Sequence, residues 1–156
     1  MRFSLLCVGR LKEGFWQEAC AEYQKRLSRY GGVEIIELKD EPEPASPALY
    51  ERALEIEGTR MLSRLRPEEY AIALAVSGRS FTSEGFAAHM ETLLARGKRP
   101  AFLIGGSLGL SRAVYERADE QISFSALTFP HQLMRVILLE QLYRACRIGA
   151  GEPYHK

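Results

Sequence analysis

Two short runs constrain this chain more than anything else in it. Tyr70 to Val76 is nearly all apolar, and so is Pro100 to Ile104. Neither run alternates in polarity, as a strand with one wet face would. An unbroken apolar stretch of this length suits a strand covered on both faces, the situation found in parallel sheets flanked by helices. The segments between such runs have a different period. Between Gly14 and Tyr30, the residues Phe15, Ala19, Tyr23, Leu27 and Tyr30 recur at helical spacing, with Glu18, Glu22, Lys25, Arg26 and Arg29 off that stripe. Gly31-Gly32 then stops the helix.

The rest of the chain continues the alternation. Phe3 to Val8 and Val33 to Leu38 read as strands. Pro42, Pro44 and Pro47 make residues 39–47 a loop, and Ser46-Pro47 opens a helix that runs to about Arg66, with Leu54, Met61 and Leu65 on one side. Residues 83–96 read as a helix through Phe86, Met90, Leu93 and Leu94, residues 111–120 as another, and 121–125 as a short strand. His131 to Ile148 is the final helix. No repeat, linker or low-complexity stretch interrupts the pattern. The expectation is an α/β fold with a mostly parallel sheet flanked by helices, residues 1–156 forming a single domain.

Charge and cysteine content narrow the setting. Lys and Arg number 21 against 20 Asp and Glu, so no global field draws the chain to nucleic acid. The sign varies locally: residues 1–30 carry six basic and three acidic side chains, residues 37–57 two basic and seven acidic. An RNA substrate held through a local patch is compatible with this balance. Cys7, Cys20 and Cys146 are widely spaced and form no CxxC pair, which suits free thiols in a reducing compartment. The opening strand is too short for a signal-peptide core, and no stretch approaches the roughly 20 apolar residues of a membrane span. A cytoplasmic protein without a membrane partner is expected.

Open parallel sheets bind ligands beyond the carboxyl ends of their strands. Three segments leave such ends: Ser77-Gly78-Arg79, Gly105 to Ser111, and Ala126 to Pro130. They converge on one crevice if their strands are neighbours. The glycine segment Gly105-Gly106-Ser107-Leu108-Gly109 lacks the Lys-Ser/Thr of a P-loop and the glycine spacing of a dinucleotide fingerprint. Glycines there permit close approach of a ligand to the main chain. Without an acidic metal cluster, such a loop suits an adenosine-like ligand better than a magnesium nucleotide.

The titratable residues are less telling. His89, His131 and His155 form no metal motif; His89 reads as a satisfied boundary residue, and His131 as an organiser of its turn or of a pocket wall. His155 stands apart because Pro153 stiffens its approach and Tyr154 can anchor it. Ser107, Ser111 and Ser125 offer no visible triad, and Glu140 and Glu152 have no obvious partner for paired acid–base work. Arg144 and Arg147 share a helix side at i,i+3, where they receive phosphate or merely solubilise the helix.

Taken in order, Leu103-Ile104-Gly105-Gly106-Ser107-Leu108-Gly109-Leu110, Ser125-Ala126-Leu127-Thr128-Phe129-Pro130-His131, Arg135-Val136 with Glu140-Gln141-Leu142-Tyr143-Arg144-Ala145, and Pro153-Tyr154-His155 closely resemble the bacterial ribosomal RNA large subunit pseudouridine N3-methyltransferases, a minimal branch of the SPOUT methyltransferases. The resemblance covers almost the whole chain. It implies a deep C-terminal trefoil knot, a homodimer, and methylation of N3 of a pseudouridine in large-subunit (23S) ribosomal RNA within the assembled ribosome, using S-adenosyl-L-methionine and acting on no DNA.

By the same resemblance, Leu74, Gly105, Phe124, Ser125, Ala126, Leu127, Thr128 and Phe129 surround the cofactor. Main-chain groups meet the adenine edge, and Leu74, Leu127 and Phe129 form apolar walls. His155, Tyr154 and Arg144 are the catalytic candidates, His155 as proton acceptor or, with Tyr154, as substrate orienter, and the tail completes the other subunit's pocket. The final helix packs across the dimer interface through Leu133, Val136, Ile137 and Tyr143. Ser107 stands where many relatives have proline, from which a looser turn is expected.

Two other classes compete: a non-enzymatic ribosome-binding protein retaining the fold, and an unrelated small-molecule α/β enzyme. The first needs no complete cofactor pocket, and the second requires no RNA.

Overall fold

The computed structural model describes residues 2–154. Within them, five strands alternate with five helices: β1 (Phe3–Val8), α1 (Gly14–Ser28), β2 (Val33–Leu38), α2 (Tyr50–Arg64), β3 (Glu69–Ser80), α3 (Ser83–Ala95), β4 (Arg99–Ile104), α4 (Arg112–Arg117), β5 (Glu120–Ser123) and α5 (His131–Gly149). A single turn of 3-10 helix, Pro47–Leu49, precedes α2. The strands form one sheet in the order β2-β1-β4-β3-β5, and every pairing is parallel. The parallel sheet expected from the two apolar runs is the one found, and those runs are its central strands β3 and β4.

Strand alternation divides the core into two layers. Phe3, Leu5 and Cys7 of β1, with Phe102 and Ile104 of β4, face α1, α3 and α5, where Leu27, Phe86, Met90, Leu138 and Leu142 meet them. Leu6 and Val8, with Ala101 and Leu103, face the opposite way onto Met61 and Leu65 beside α2 and Val114 of α4. Cys7, Cys20 and Cys146 are buried free thiols. Desolvation is the main reason the Cys7 thiol is pushed up to about 12 and that of Cys146 to about 11. These cysteines therefore act as small apolar side chains.

One segment departs from the sequence reading. Ser77-Gly78-Arg79 is not a loop leaving a strand end; it lies inside β3. The ladder with β5 jumps from Leu74↔Ile122 to Arg79↔Ile122, so residues 75–78 bow out and the strand resumes through Ser80↔Ser123. Glycine is required at the bow. A Cβ on Gly78 would lie 2.6 Å from the carbonyl carbon of Ile122 and 2.7 Å from that of Gln121. The helix expected from Ser46 is also corrected at both ends: it opens as the 3-10 turn, and Leu65 already has an extended backbone.

The contact at Gly78 predicts the cost of filling it. Gly78→Ala should lower unfolding stability by about 1–3 kcal/mol, because the main chain of β5 must move to admit a methyl group. Urea denaturation of the two proteins checks this, and equal midpoints would show that the bow relaxes freely.

Candidate active site

Because β3 runs between β4 and β5, the segments that follow β4 and β5 face each other across the bowed part of β3. Between them lies a cavity of about 430 Å³, lined by Leu74, Ala75 and Val76, by residues of the glycine loop, and by the segment from Ile122 to Met134. Of the eight residues expected around the cofactor, Leu74, Gly105, Phe124, Ser125, Leu127, Thr128 and Phe129 line it. Ala126 belongs to the same segment but is exposed and outside the lining.

The segment after β5 holds its shape through two short polar contacts. The Ser123 hydroxyl donates to the Ser125 carbonyl (2.9 Å), and the Ser125 hydroxyl accepts from the Leu127 N–H (3.0 Å). Among the described residues, no hydrogen bond engages the main-chain N–H of Ala126, Thr128 or Phe129. Donors left open beside an apolar wall are what a planar heterocycle with a polar edge requires. Leu127 is 72% exposed, so its side chain overhangs the cavity without supporting the core.

The glycine loop closes on itself. Gly109 donates to the Gly106 carbonyl (3.1 Å), the two residues form an isolated bridge, and Gly109 has a φ of 86°. Gly105 is required for a reason the sequence did not disclose. A Cβ there would lie within 2.9 Å of Gly109 Cα and collide with the Gly109 carbonyl, so a side chain would open the turn itself before meeting a ligand. Ser107 sits at the exposed tip of this hydrogen-bonded turn. Glu57 lies behind the loop: one carboxylate oxygen accepts from the Glu41 N–H (2.9 Å), and the other is buried without a partner. Burial raises the Glu57 carboxyl above its ordinary range.

Arg135 was missed as a structural anchor. It is wholly buried and donates to the carbonyls of Val8 (3.1 Å) and Gly9 (2.7 Å) and to the Glu37 carboxylate (2.9 Å). Glu37 also accepts from the Leu11 N–H (2.7 Å). The available signal was a charge at position 135 in line with the apolar residues Leu138 and Leu142. One turn earlier, His131 lines the cavity, with its ring close to Gly9 and its Nδ1 buried without a partner. This matches the pocket-shaping role expected of it. His89 is the satisfied boundary residue expected, 2.7 Å from Glu120 and stacked on Phe81.

Two of the catalytic candidates, Arg144 and Tyr154, lie outside the residues that line the cavity. Arg144 donates to Glu140 (2.7 Å) and lies over the Tyr154 ring at 4.8 Å, with Arg147 on the same ring at 5.6 Å. Tyr154 packs edge-on against Tyr143 (5.1 Å) and donates to Glu140 (3.2 Å). Burial, and next the Glu140 carboxylate, raise the Tyr154 hydroxyl, which keeps it a donor. Glu140 and Glu152, which offered no obvious partner for paired acid–base work in sequence, form ion pairs, Glu140 with Arg144 and Glu152 with Arg29 and Arg147. His155 lies outside the described residues. From His131 at the cavity to Arg144 is 13 residues of continuous helix, roughly 20 Å at 1.5 Å per residue. The fold thus brings seven of the eight expected cofactor residues to one cavity and sets Arg144 and Tyr154 against each other away from it. Among the described residues, no group of three acidic, histidine or cysteine side chains could hold a metal ion.

The comparisons with known proteins agree with this geometry. A family model described as "Predicted SPOUT methyltransferase" matches residues 1–155. A "Ribosomal RNA large subunit methyltransferase H" of Lactobacillus acidophilus is 50% identical over 159 residues, covering 100% of both chains. Its counterpart in Bacillus pumilus is 50% identical over 161 residues, again with 100% of both covered. A solved structure of a "Probable Methyltransferase" from Bordetella pertussis Tohama I is similar in fold, with a TM-score of 0.58 over 93% of this chain and 94% of that one at 16% identity.

His131 predicts a pH dependence of stability. Burial, and then the Arg135 charge, lower its pKa from 6.5. Below that pH the unfolded chain takes up a proton that the folded chain resists, so stability should fall as pH drops below about 6.5. In urea titrations at about pH 5.5 and 7.5, His131→Gln should show a smaller loss at the acid value than the parent. An identical loss in both would place the acid sensitivity in other groups.

Proposed function

This chain belongs to the SPOUT methyltransferase family, and from that premise we propose that it methylates N3 of a pseudouridine in large-subunit (23S) ribosomal RNA, using S-adenosyl-L-methionine. With the family comes its mostly parallel sheet and C-terminal trefoil knot. The observation that carries the reading is the cavity itself. Its size falls in the range of small-molecule sites, its walls are largely apolar, and the segment after β5 presents main-chain donors with no partner among the described residues. These features fit an adenosine-bearing cofactor held by Leu74, Leu127 and Phe129 and by the main chain of residues 124–129. When bound, S-adenosyl-L-methionine would supply an electrophilic sulfonium methyl group to N3 of the base, with the neutral thioether as leaving group.

N3 must lose its proton by the time it attacks. His155 is suited to accept that proton, or to orient the base with Tyr154, since an imidazole titrates near 6.5 in model compounds. Arg144 favours the negative charge that develops on the base, and its pairing with Glu140 fixes its direction. The roughly 20 Å of helix between cavity and tail supports a homodimer in which each tail completes the partner's cavity. Leu133, Val136, Ile137 and Tyr143 of α5 are only partly buried in the protomer, as a helix crossing that interface would require.

With a net charge of +1, the chain has little to offer naked RNA, so the proposed substrate is the assembled ribosome, in the cytoplasm. No described helix is long and apolar enough to cross a membrane. We read residues 1–156 as one domain carrying all of this.

The direct test is transfer of labelled methyl to assembled ribosomes that lack the modification, followed by mapping of the labelled nucleoside. Label on N3 of a pseudouridine is expected; label elsewhere would reassign the substrate. His155→Ala should slow single-turnover transfer by about 10²–10⁴-fold while cofactor affinity in calorimetry stays unchanged. Leu127→Ala should do the reverse, weakening cofactor binding by about 1–2 kcal/mol with the fold intact, because its exposed side chain meets only the ligand. Undiminished transfer by the first variant, or undiminished affinity in the second, would remove that residue from its role.

A further inference from the structure

The tail leaves α5 at Gly149 and must still present Tyr154 in one defined place. A single carboxylate fixes the chain between them. Glu152 accepts from Arg29 Nη2 (3.0 Å) on one oxygen and from the Tyr30 hydroxyl (2.8 Å) on the other, and that second oxygen also lies 2.5 Å from Arg147 Nε. Its own N–H donates to the Arg147 carbonyl (2.9 Å), one residue after Gly151 donates to Ile148 (2.9 Å). The partners come from the end of α1 and from the last turns of α5, so the carboxylate ties the tail to two elements at once. Pro153 follows directly, with its φ restricted by the ring, and Tyr154 is then held by Glu140 and Tyr143.

We infer that Glu152 is a positioning residue for methyl transfer. It fixes the base of the tail so that Tyr154 is presented to the partner's cavity already oriented. The inference rests on the reading that the tail completes that cavity. Stability gives a poor account of the cluster. Arg29 is largely exposed, so its ion pair contributes little, and the partly buried Glu152–Arg147 pair lies beside Tyr30 and Tyr143, rings that the core already holds. Orientation accounts for it better, because small misplacements of a reacting group carry large rate penalties.

The test uses the full-length protein and unmodified ribosomes. Glu152→Ala should lower kcat roughly ten- to hundred-fold, while KM for ribosomes, cofactor affinity and dimer mass stay within about twofold of the parent. Tyr30→Phe, which deletes one hydroxyl and should fold in any case, should give a smaller loss in the same direction. Arg147→Ala combined with Glu152→Ala should cost no more than the worse single variant, as for two groups acting as one unit. The main-chain amides at positions 151 and 152 should exchange faster in Glu152→Ala.

Full kcat in Glu152→Ala and Tyr30→Phe, with transfer still lost in His155→Ala, would overturn the positioning role and leave the tail reading standing. Full transfer in His155→Ala and in a chain ending at Glu152 would overturn the tail reading itself. A change in KM alone would also overturn the inference, since it would make Glu152 a binding contact.

Discussion

Arg135 is a full charge placed where water cannot reach it, and the arrangement of the site depends on how that charge is satisfied. Its guanidinium takes the carbonyls of Val8 and Gly9, where β1 gives way to its loop, and the carboxylate of Glu37 near the end of β2. A buried cation is tolerated only when it is well paired: here Nη1 and Nη2 are engaged, while Nε has no partner among the described residues. The consequence is positional. The first turn of α5 cannot slide along the sheet without breaking charge-assisted bonds to two strands. That turn carries His131, Gln132 and Met134 into the cavity wall. The wall opposite the glycine loop is therefore as rigid as the β1–β2 pair it is tied to.

The other end of α5 is held by different means. There the anchors, apart from the exposed Arg29, are partly buried groups: Glu140 with Arg144 and Tyr154, and Glu152 with Arg29, Tyr30 and Arg147. The rings of Tyr143 and Tyr154 and the two guanidinium planes stack into one cluster. Each contact is weak alone, but together they leave few orientations for Tyr154. Between the two anchors runs a helix of 19 residues, roughly 28 Å long, which acts as a strut of fixed length.

How much of this was legible in sequence follows from what each signal depends on. Elements were legible because their evidence is local: the unbroken apolar runs of β3 and β4, and the helical stripe ending at Leu27 and Tyr30, need no knowledge of the fold. The cavity wall was legible through the resemblance carried by Leu103 to Leu110 and Ser125 to His131. Long-range facts were not legible. The tie between Arg29 and Glu152 joins residues 123 apart, and nothing near either one announces it. Ser77-Gly78-Arg79 looked like a turn because its composition is that of a turn; only the nearness of Gln121 and Ile122 reveals that the glycine serves a crowded strand. Gly105 was assigned to the ligand, whereas its first duty is to let Gly109 approach.

The strut also bears on recognition. A chain with a net charge of +1 and seven acidic residues between positions 37 and 57 cannot gather RNA by its field alone. Selectivity must then come from shape, and shape needs rigid parts at set distances. One protomer alone offers a cavity at one end of α5 and an arginine–tyrosine cluster at the other, too far apart to act on one base. In the proposed pair, the cluster of each chain meets the cavity of the other, and the site exists only when two anchored helices cross. On that proposal, a base would be methylated only if its surroundings admit the assembled pair, and the surface around the base would then be part of the specificity.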